Sequence, residues 1–219
     1  MPDSITVPAW HRKVVAVTGS IGSGKSSVTK LFRELGAYTL ASDDLARRVV
    51  AANGQALKKI SETFGAGLIS KDGVLDRQAL GKIVFLDPAA LKKLEAITHP
   101  VIRALADEEF TEAFKNPYPL FVYDVPLLFE AGLAVLDKRD RQNNGFKKII
   151  VVYADRQTCI RRLVEQRGMS LAEAEQRIAA QLPIEEKIKY ADIVIDNSGT
   201  LDELKFKVLE IFKELTTHA

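Results

Sequence analysis

Five short apolar runs punctuate the chain, at residues 13–18, 37–41, 119–124, 147–154 and 193–195. Each is too brief for a helix, and the clearest of them, Ile149-Ile150-Val151-Val152, is continuous rather than alternating. Such runs predict strands covered on both faces, the usual condition of a parallel sheet. Between and after them the apolar period lengthens to that of a helix. Val28, Leu31, Phe32 and Leu35 form one such stripe, Leu45, Ala46, Val49 and Val50 a second. Leu201, Leu204, Phe206, Val208, Leu209, Phe212 and Leu215 form a final amphipathic helix. Strand and helix in alternation predict an α/β fold: a five-stranded parallel sheet with helices on both faces.

Two stretches depart from the alternation. Residues 53–115 contain no strand pattern, and turns are marked by Asn53-Gly54, Gly65-Ala66-Gly67 and Lys71-Asp72-Gly73. Asp76 is placed to cap a helix carrying Ala79, Leu80 and Ile83. A longer helical pattern follows through Leu91, Leu94, Ile97, Val101, Ile102 and Leu105, with Pro100 inside it. After the fourth strand, Asp155 opens a helix bearing Cys159, Arg161, Arg162 and Arg167. Ser170 and Glu173 then have capping-box spacing. The organisation expected is a flexible leader over residues 1–10 and a nucleotide-binding core of residues 11–52, 116–164 and 186–219. A helical acceptor-binding subdomain spans 53–115 and a lid 165–185. Residues 137–145 are polar, with both charge signs and no period, and read as an exposed loop.

The strongest chemical signal lies between the first strand and the first helix. Gly19-Ser20-Ile21-Gly22-Ser23-Gly24-Lys25-Ser26 matches the phosphate-binding loop pattern in full, and Ser27 continues it. Glycines let the backbone curl closely around phosphate oxygens, where a Cβ would obstruct it. Amide groups of the loop and the helix N-terminus attract the anion. Lys25 is suited to the β- and γ-phosphates, and the Ser26 hydroxyl to Mg²⁺. Asp124, closing the third apolar run, has the place of a strand-end carboxylate near that ion. Ser42-Asp43-Asp44 follows the second strand, where an open α/β sheet faces its ligand crevice. Arginines of the 155–170 region have the position of a lid over transferring phosphates.

Composition narrows the partners. Hydrophobic residues make up 47% and charged residues 27%, a globular balance. The net charge of +2 gives no reason to expect a nucleic acid. No run approaches a membrane span, and no signal peptide is visible. One cysteine excludes an intrachain disulfide and suits a reducing compartment, so a cytoplasmic protein is expected, monomeric or weakly homo-oligomeric. Taken alone, these features predict a small-molecule kinase using ATP and Mg²⁺. A kinase for another small hydroxyl acceptor, such as a nucleoside or sugar, and a non-catalytic nucleotide-binding protein are the alternatives. A GTPase would carry an Asn-Lys-x-Asp motif, which is absent.

The motifs also resemble, in register over almost the whole chain, those of the dephospho-coenzyme A kinase family. The resemblance is carried by Thr18 to Ser26, Ser42-Asp43, Phe64-Gly65, Asp72-Gly73, Leu75-Asp76-Arg77, His99-Pro100 and Pro126-Leu127-Leu128-Phe129-Glu130. Arg162, Gln181, Ala191-Asp192 and Asn197 fit its later positions. It implies transfer of the γ-phosphoryl group of ATP to the 3′-hydroxyl of dephospho-coenzyme A. It further implies Asp43 as general base, although Ala41 and Ser42 depart from the family's Asp-Ala-Asp stretch. His99, Phe64, Arg77 and Pro126, Leu127 and Leu128 correspond to the acceptor site. Arg162 or Arg167 corresponds to the lid arginines, and Asn197 to the neighbourhood of the adenine.

Overall fold

A computed structural model describes residues 9–133 and 145–217. The expected loop at 137–145 therefore lies outside the described residues except for Gly145, as do residues 1–8 of the expected leader. Ala9–Lys13 forms a 3-10 helix, and Trp10 within it is buried. The elements in chain order are β1 (Val14–Gly19), α1 (Lys25–Glu34), β2 (Tyr38–Ala41), α2 (Ser42–Val49), α3 (Leu57–Phe64), α4 (Arg77–Leu86) and α5 (Pro88–Ala113). Then come β3 (Phe121–Asp124), β4 (Lys148–Tyr153), α6 (Arg156–Arg167), α7 (Leu171–Ala179), α8 (Ile184–Lys189), β5 (Ile193–Asp196) and α9 (Leu201–Thr217).

The five strands form one parallel sheet in the order β2-β3-β1-β4-β5. β1 sits at its centre, registered with β3 (Val17 opposite Asp124) and with β4 (Val17 opposite Ile150). Every residue of β1 is buried, as its unbroken apolar character demands. Alternation divides the strands between two faces. Val15, Val17, Val122, Ile150, Val152 and Ile195 pack with Val28 and Phe32 of α1 and with Leu204, Val208 and Leu215 of α9. Val14, Ala16, Ile149 and Val151 point the other way and are equally buried. The chain leaves β1 toward β2 on one side and reaches β4 on the other. Such a reversal opens a crevice beyond the carboxyl ends of the strands.

The chain divides into two compact units, one of residues 1–40 and 113–219, the other of residues 41–112. The division falls at Ala41 rather than at residue 53, so Asp43 belongs by chain packing to the second unit. That unit has its own core of Val49, Ala56, Leu57, Ile60, Leu68, Leu75, Leu80 and Ile97. Its turn at Lys71-Asp72-Gly73 is closed by an isolated antiparallel bridge between Ile69 and Leu75, with Gly73 at φ 74°. Helix α5 runs unbroken through Pro100, which has no N–H to offer the Ala96 carbonyl.

The predicted caps fare unevenly. Asp76 accepts from Ala79 N at 2.9 Å, Asp155 from Thr158 N at 2.9 Å, and Ser170 with Glu173 completes a reciprocal capping box. Helix α2 has no side-chain cap: it begins at Ser42 itself, with Ala41 in the cap position and no side-chain hydrogen bond there. Residues 126–130 form a series of turns rather than a helix, closed by Ala131 N to Leu127 O and Leu133 N to Leu128 O. Among the described residues no helix is long and apolar enough to cross a membrane.

Candidate active site

The phosphate loop connects β1 to α1, and its shape depends on what packs beneath it. Gly22 (φ 82°) and Gly24 (φ 83°) both lie in the left-handed region that favours glycine. Space imposes the same choice. A Cβ on Gly22 would come within 2.8 Å of the Cys159 carbonyl oxygen, and one on Gly24 would collide with the Asn197 side-chain amide. The loop is thus seated on α6 and on the segment after β5. Ser23 is buried, and its hydroxyl has no hydrogen-bond partner among the described residues.

Two sequence-predicted residues turn out to be braces for this loop. Asn197 is buried, and its Nδ2 donates to Ser23 O at 2.7 Å. The Arg162 guanidinium donates to Gly22 O (3.4 Å), Ser23 O (3.3 Å) and Asn197 O (2.8 Å). Arg162 is therefore anchored to the loop backbone, whereas Arg167, one turn further along α6, is exposed. Both border a cavity of about 230 Å³ that Gly22, Gly24, Ser26, Ser27, Asn197 and Leu201 also line. Ser20 and Ile21 are half-buried, and Ile21 N donates to Gln181 Oε1 at 2.8 Å.

Lys25 opens α1, and its ammonium is ion-paired with Asp124 at the end of β3. Asp124 is 8% exposed, so the lysine neutralises a carboxylate that burial would otherwise penalise. Ser26 lies beside this pair in sequence and is exposed. Among the described residues no three His, Cys, Asp or Glu side chains gather to hold a metal. Mg²⁺ keeps several waters and takes one or two protein oxygens together with substrate phosphates. Ser26 and Asp124 supply the right hard donors.

A further network, which sequence reasoning missed, lies under the turns after β3. Lys187 of α8 is fully buried and pairs with Glu130 at 2.8 Å. Glu130, the last residue of the Pro126–Glu130 motif, also accepts from Leu182 N at 3.1 Å. The Pro126 carbonyl receives Thr18 Oγ1 at 3.0 Å and Lys187 Nζ at 3.4 Å. Nothing in the local pattern Ile-Glu-Glu-Lys-Ile-Lys marks which lysine turns inward. The partner that decides it lies far away in sequence.

The residues expected at the acceptor site fall in both units. Leu127 is 45% exposed, but Leu128 is fully buried and belongs to the core, so it offers no surface to a ligand. Pro126 is half-buried. In the second unit, Asp43 is exposed in the first turn of α2. Its neighbour Asp44 pairs with Arg47, whose guanidinium pKa is raised chiefly by that hydrogen bond and charge, with a smaller contribution from Asp43. Arg77 Nη2 donates to Arg47 O at 3.1 Å, joining the start of α4 to α2. Phe64 is half-buried against the second core, and His99 is exposed on α5.

A family model described as dephospho-CoA kinase matches residues 13–203. The chain belongs to the dephospho-CoA kinase family. It is 44% identical to the dephospho-CoA kinase of Geobacter sulfurreducens over 91% of this chain and 96% of that one. With the dephospho-CoA kinase of Aquifex aeolicus it shares 41% over 93% and 98% respectively. In three dimensions it resembles a Thermus thermophilus protein (TM-score 0.76, 35% identity, 94% and 99% covered). It also resembles dephospho-CoA kinase from Campylobacter jejuni (TM-score 0.62, 29% identity, 94% and 98% covered). The parallel sheet, flanking helices and phosphate loop of this dephospho-CoA kinase family member are those of a P-loop kinase.

Proposed function

We propose that the chain transfers the γ-phosphoryl group of MgATP to the 3′-hydroxyl of dephospho-coenzyme A, giving coenzyme A and ADP. The observation that carries this reading is the complete phosphate loop, shaped by Gly22 and Gly24 and braced by Arg162 and Asn197, in a member of this family. The loop amides receive the β- and γ-phosphates. Lys25 exchanges Asp124 for phosphate oxygens, which stabilises charge as it develops on the transferring group. Asp124 and Ser26 would hold Mg²⁺, which would supply positive charge against the phosphate oxygens.

Asp43 orients the acceptor hydroxyl and takes its proton during in-line attack. Support for this role is its family position and its place directly after β2, whose C-terminal end faces the ligand side of such a sheet. By their family positions Phe64, Arg77, His99, Pro126 and Leu127 are assigned to acceptor binding, and the exposed Arg167 supplies lid charge to the phosphates. Arg162, committed to the loop backbone, fixes the cradle. The cavity bordered by Arg162, Arg167, Asn197 and Leu201 takes the nucleoside end of the donor.

ADP production from MgATP, measured with dephospho-coenzyme A beside nucleosides, sugars and shikimate-like acceptors, tests the reading. A dominant rate with dephospho-coenzyme A, with the new phosphate on the 3′ oxygen by mass and position analysis, is the expected result. A faster rate with another acceptor would overturn it.

A further inference from the structure

The buried cation at Lys187 is not explained by packing. An ammonium withdrawn from water is costly, and ion pairs of this kind can often be replaced by apolar side chains with no loss of stability. Methionine would fill much of the same space. What it could not supply is a directional hold on two acceptors at once, the Glu130 carboxylate at 2.8 Å and the Pro126 carbonyl at 3.4 Å.

Those two acceptors belong to a closed circuit. Thr18, the residue before the phosphate loop, donates to Pro126 O. Lys187 joins Pro126 O to Glu130, and Glu130 accepts from Leu182 N. The residue before Leu182 is Gln181, whose side chain accepts from Ile21 N, inside the phosphate loop. The circuit leaves the loop at one end and re-enters it within. On the way it passes two residues from Asp124 and through the return of the chain from α7 toward α8.

We propose that Lys187 is a positioning residue for phosphoryl transfer, locking the phosphate loop, the turn after β3 and the chain returning from the lid hairpin into one arrangement. Lys187 touches neither nucleotide nor acceptor. It acts through Pro126 on the β3 carboxylate, and through Glu130, Leu182 and Gln181 on the loop amide of Ile21. The proposal rests on the phosphotransferase reading given above.

The test compares the parent with K187M and with the double variant E130Q/K187M. Turnover, KM for each substrate, thermal melting and amide hydrogen exchange at Ile21 and Leu182 are the readouts. The expected result for K187M is a fall in kcat of about 100-fold, the scale of an ångström-level misplacement. KM should move much less, and the Ile21 and Leu182 amides should exchange faster. Because the pair is removed together, the double variant should melt no lower than the parent and be no slower than K187M alone. A folded K187M or a folded double variant with parental kcat overturns the proposal. So does slow turnover with unchanged exchange at both amides. Parent protein inactive toward dephospho-coenzyme A would instead sink the functional reading, while the exchange data would still decide whether the circuit exists.

Discussion

Lys25 at the start of α1 and Asp124 at the end of β3 satisfy each other's charge. Phosphate alone would strip the lysine from a buried carboxylate, and a cation alone would strip the carboxylate from the lysine. Asp43, which we propose as the general base, stands differently, exposed in the first turn of α2. Replacing it by asparagine keeps the shape and removes the base. D43N should lose about 100- to 10,000-fold in kcat, the range of general-base catalysis, while holding MgATP as tightly as the parent. Single-turnover rates and nucleotide titration check this, and weakened ATP binding with normal turnover would remove Asp43 from the role of base.

At the scale of elements, the caps have measurable consequences. In the box that opens α7, the backbone N–H and hydroxyl of Ser170 hold the Glu173 carboxyl below its ordinary pKa of 4.5. A carboxyl whose folded pKa is depressed contributes stability above its unfolded value and loses it as pH falls through the folded one. E173Q should therefore melt below the parent at neutral pH and converge on it as the solution is acidified below about 4.5. A difference independent of pH would show that the charge plays no part. That cap was legible because its partners lie three residues apart, and the phosphate loop was legible because its glycine, lysine and serine spacing is local, even though Cys159, Arg162 and Asn197, which brace it, are distant in sequence. Leu128, Asn197 and Lys187 were not legible. Whether Leu128 lines a pocket or fills a core, and whether Lys187 is solvated or sealed, depends on chain brought in from elsewhere. Residues 126–130 form turns, and the Pro126 carbonyl is taken by Thr18 and Lys187, each far away in sequence, one on either side.

At the scale of the molecule, two separate cores imply two separable responses. Ile60 is fully buried in the core of residues 41–112, and I60A should cost about 2–5 kcal/mol there. Well below the melting transition, MgATP affinity should be unchanged, because the phosphate loop rests on the other core. Denaturant unfolding followed beside nucleotide titration separates the two, and a parallel loss of affinity would refute the independence. The parallel sheet could be read from its apolar runs, but the division at Ala41 could not, since β2 and α2 are continuous in sequence. The floor of the phosphate loop has one more consequence. Coenzyme A and its precursor both carry a thiol, so the chain works amid reagents for disulfide exchange. Its only cysteine, Cys159, lies buried against Gly22, and burial raises its pKa above the ordinary 9.0. Exchange requires a thiolate that can be reached, and this sulfur is neither ionised nor accessible. The same close packing that shapes the anion cradle keeps the protein from forming a mixed disulfide with what it makes.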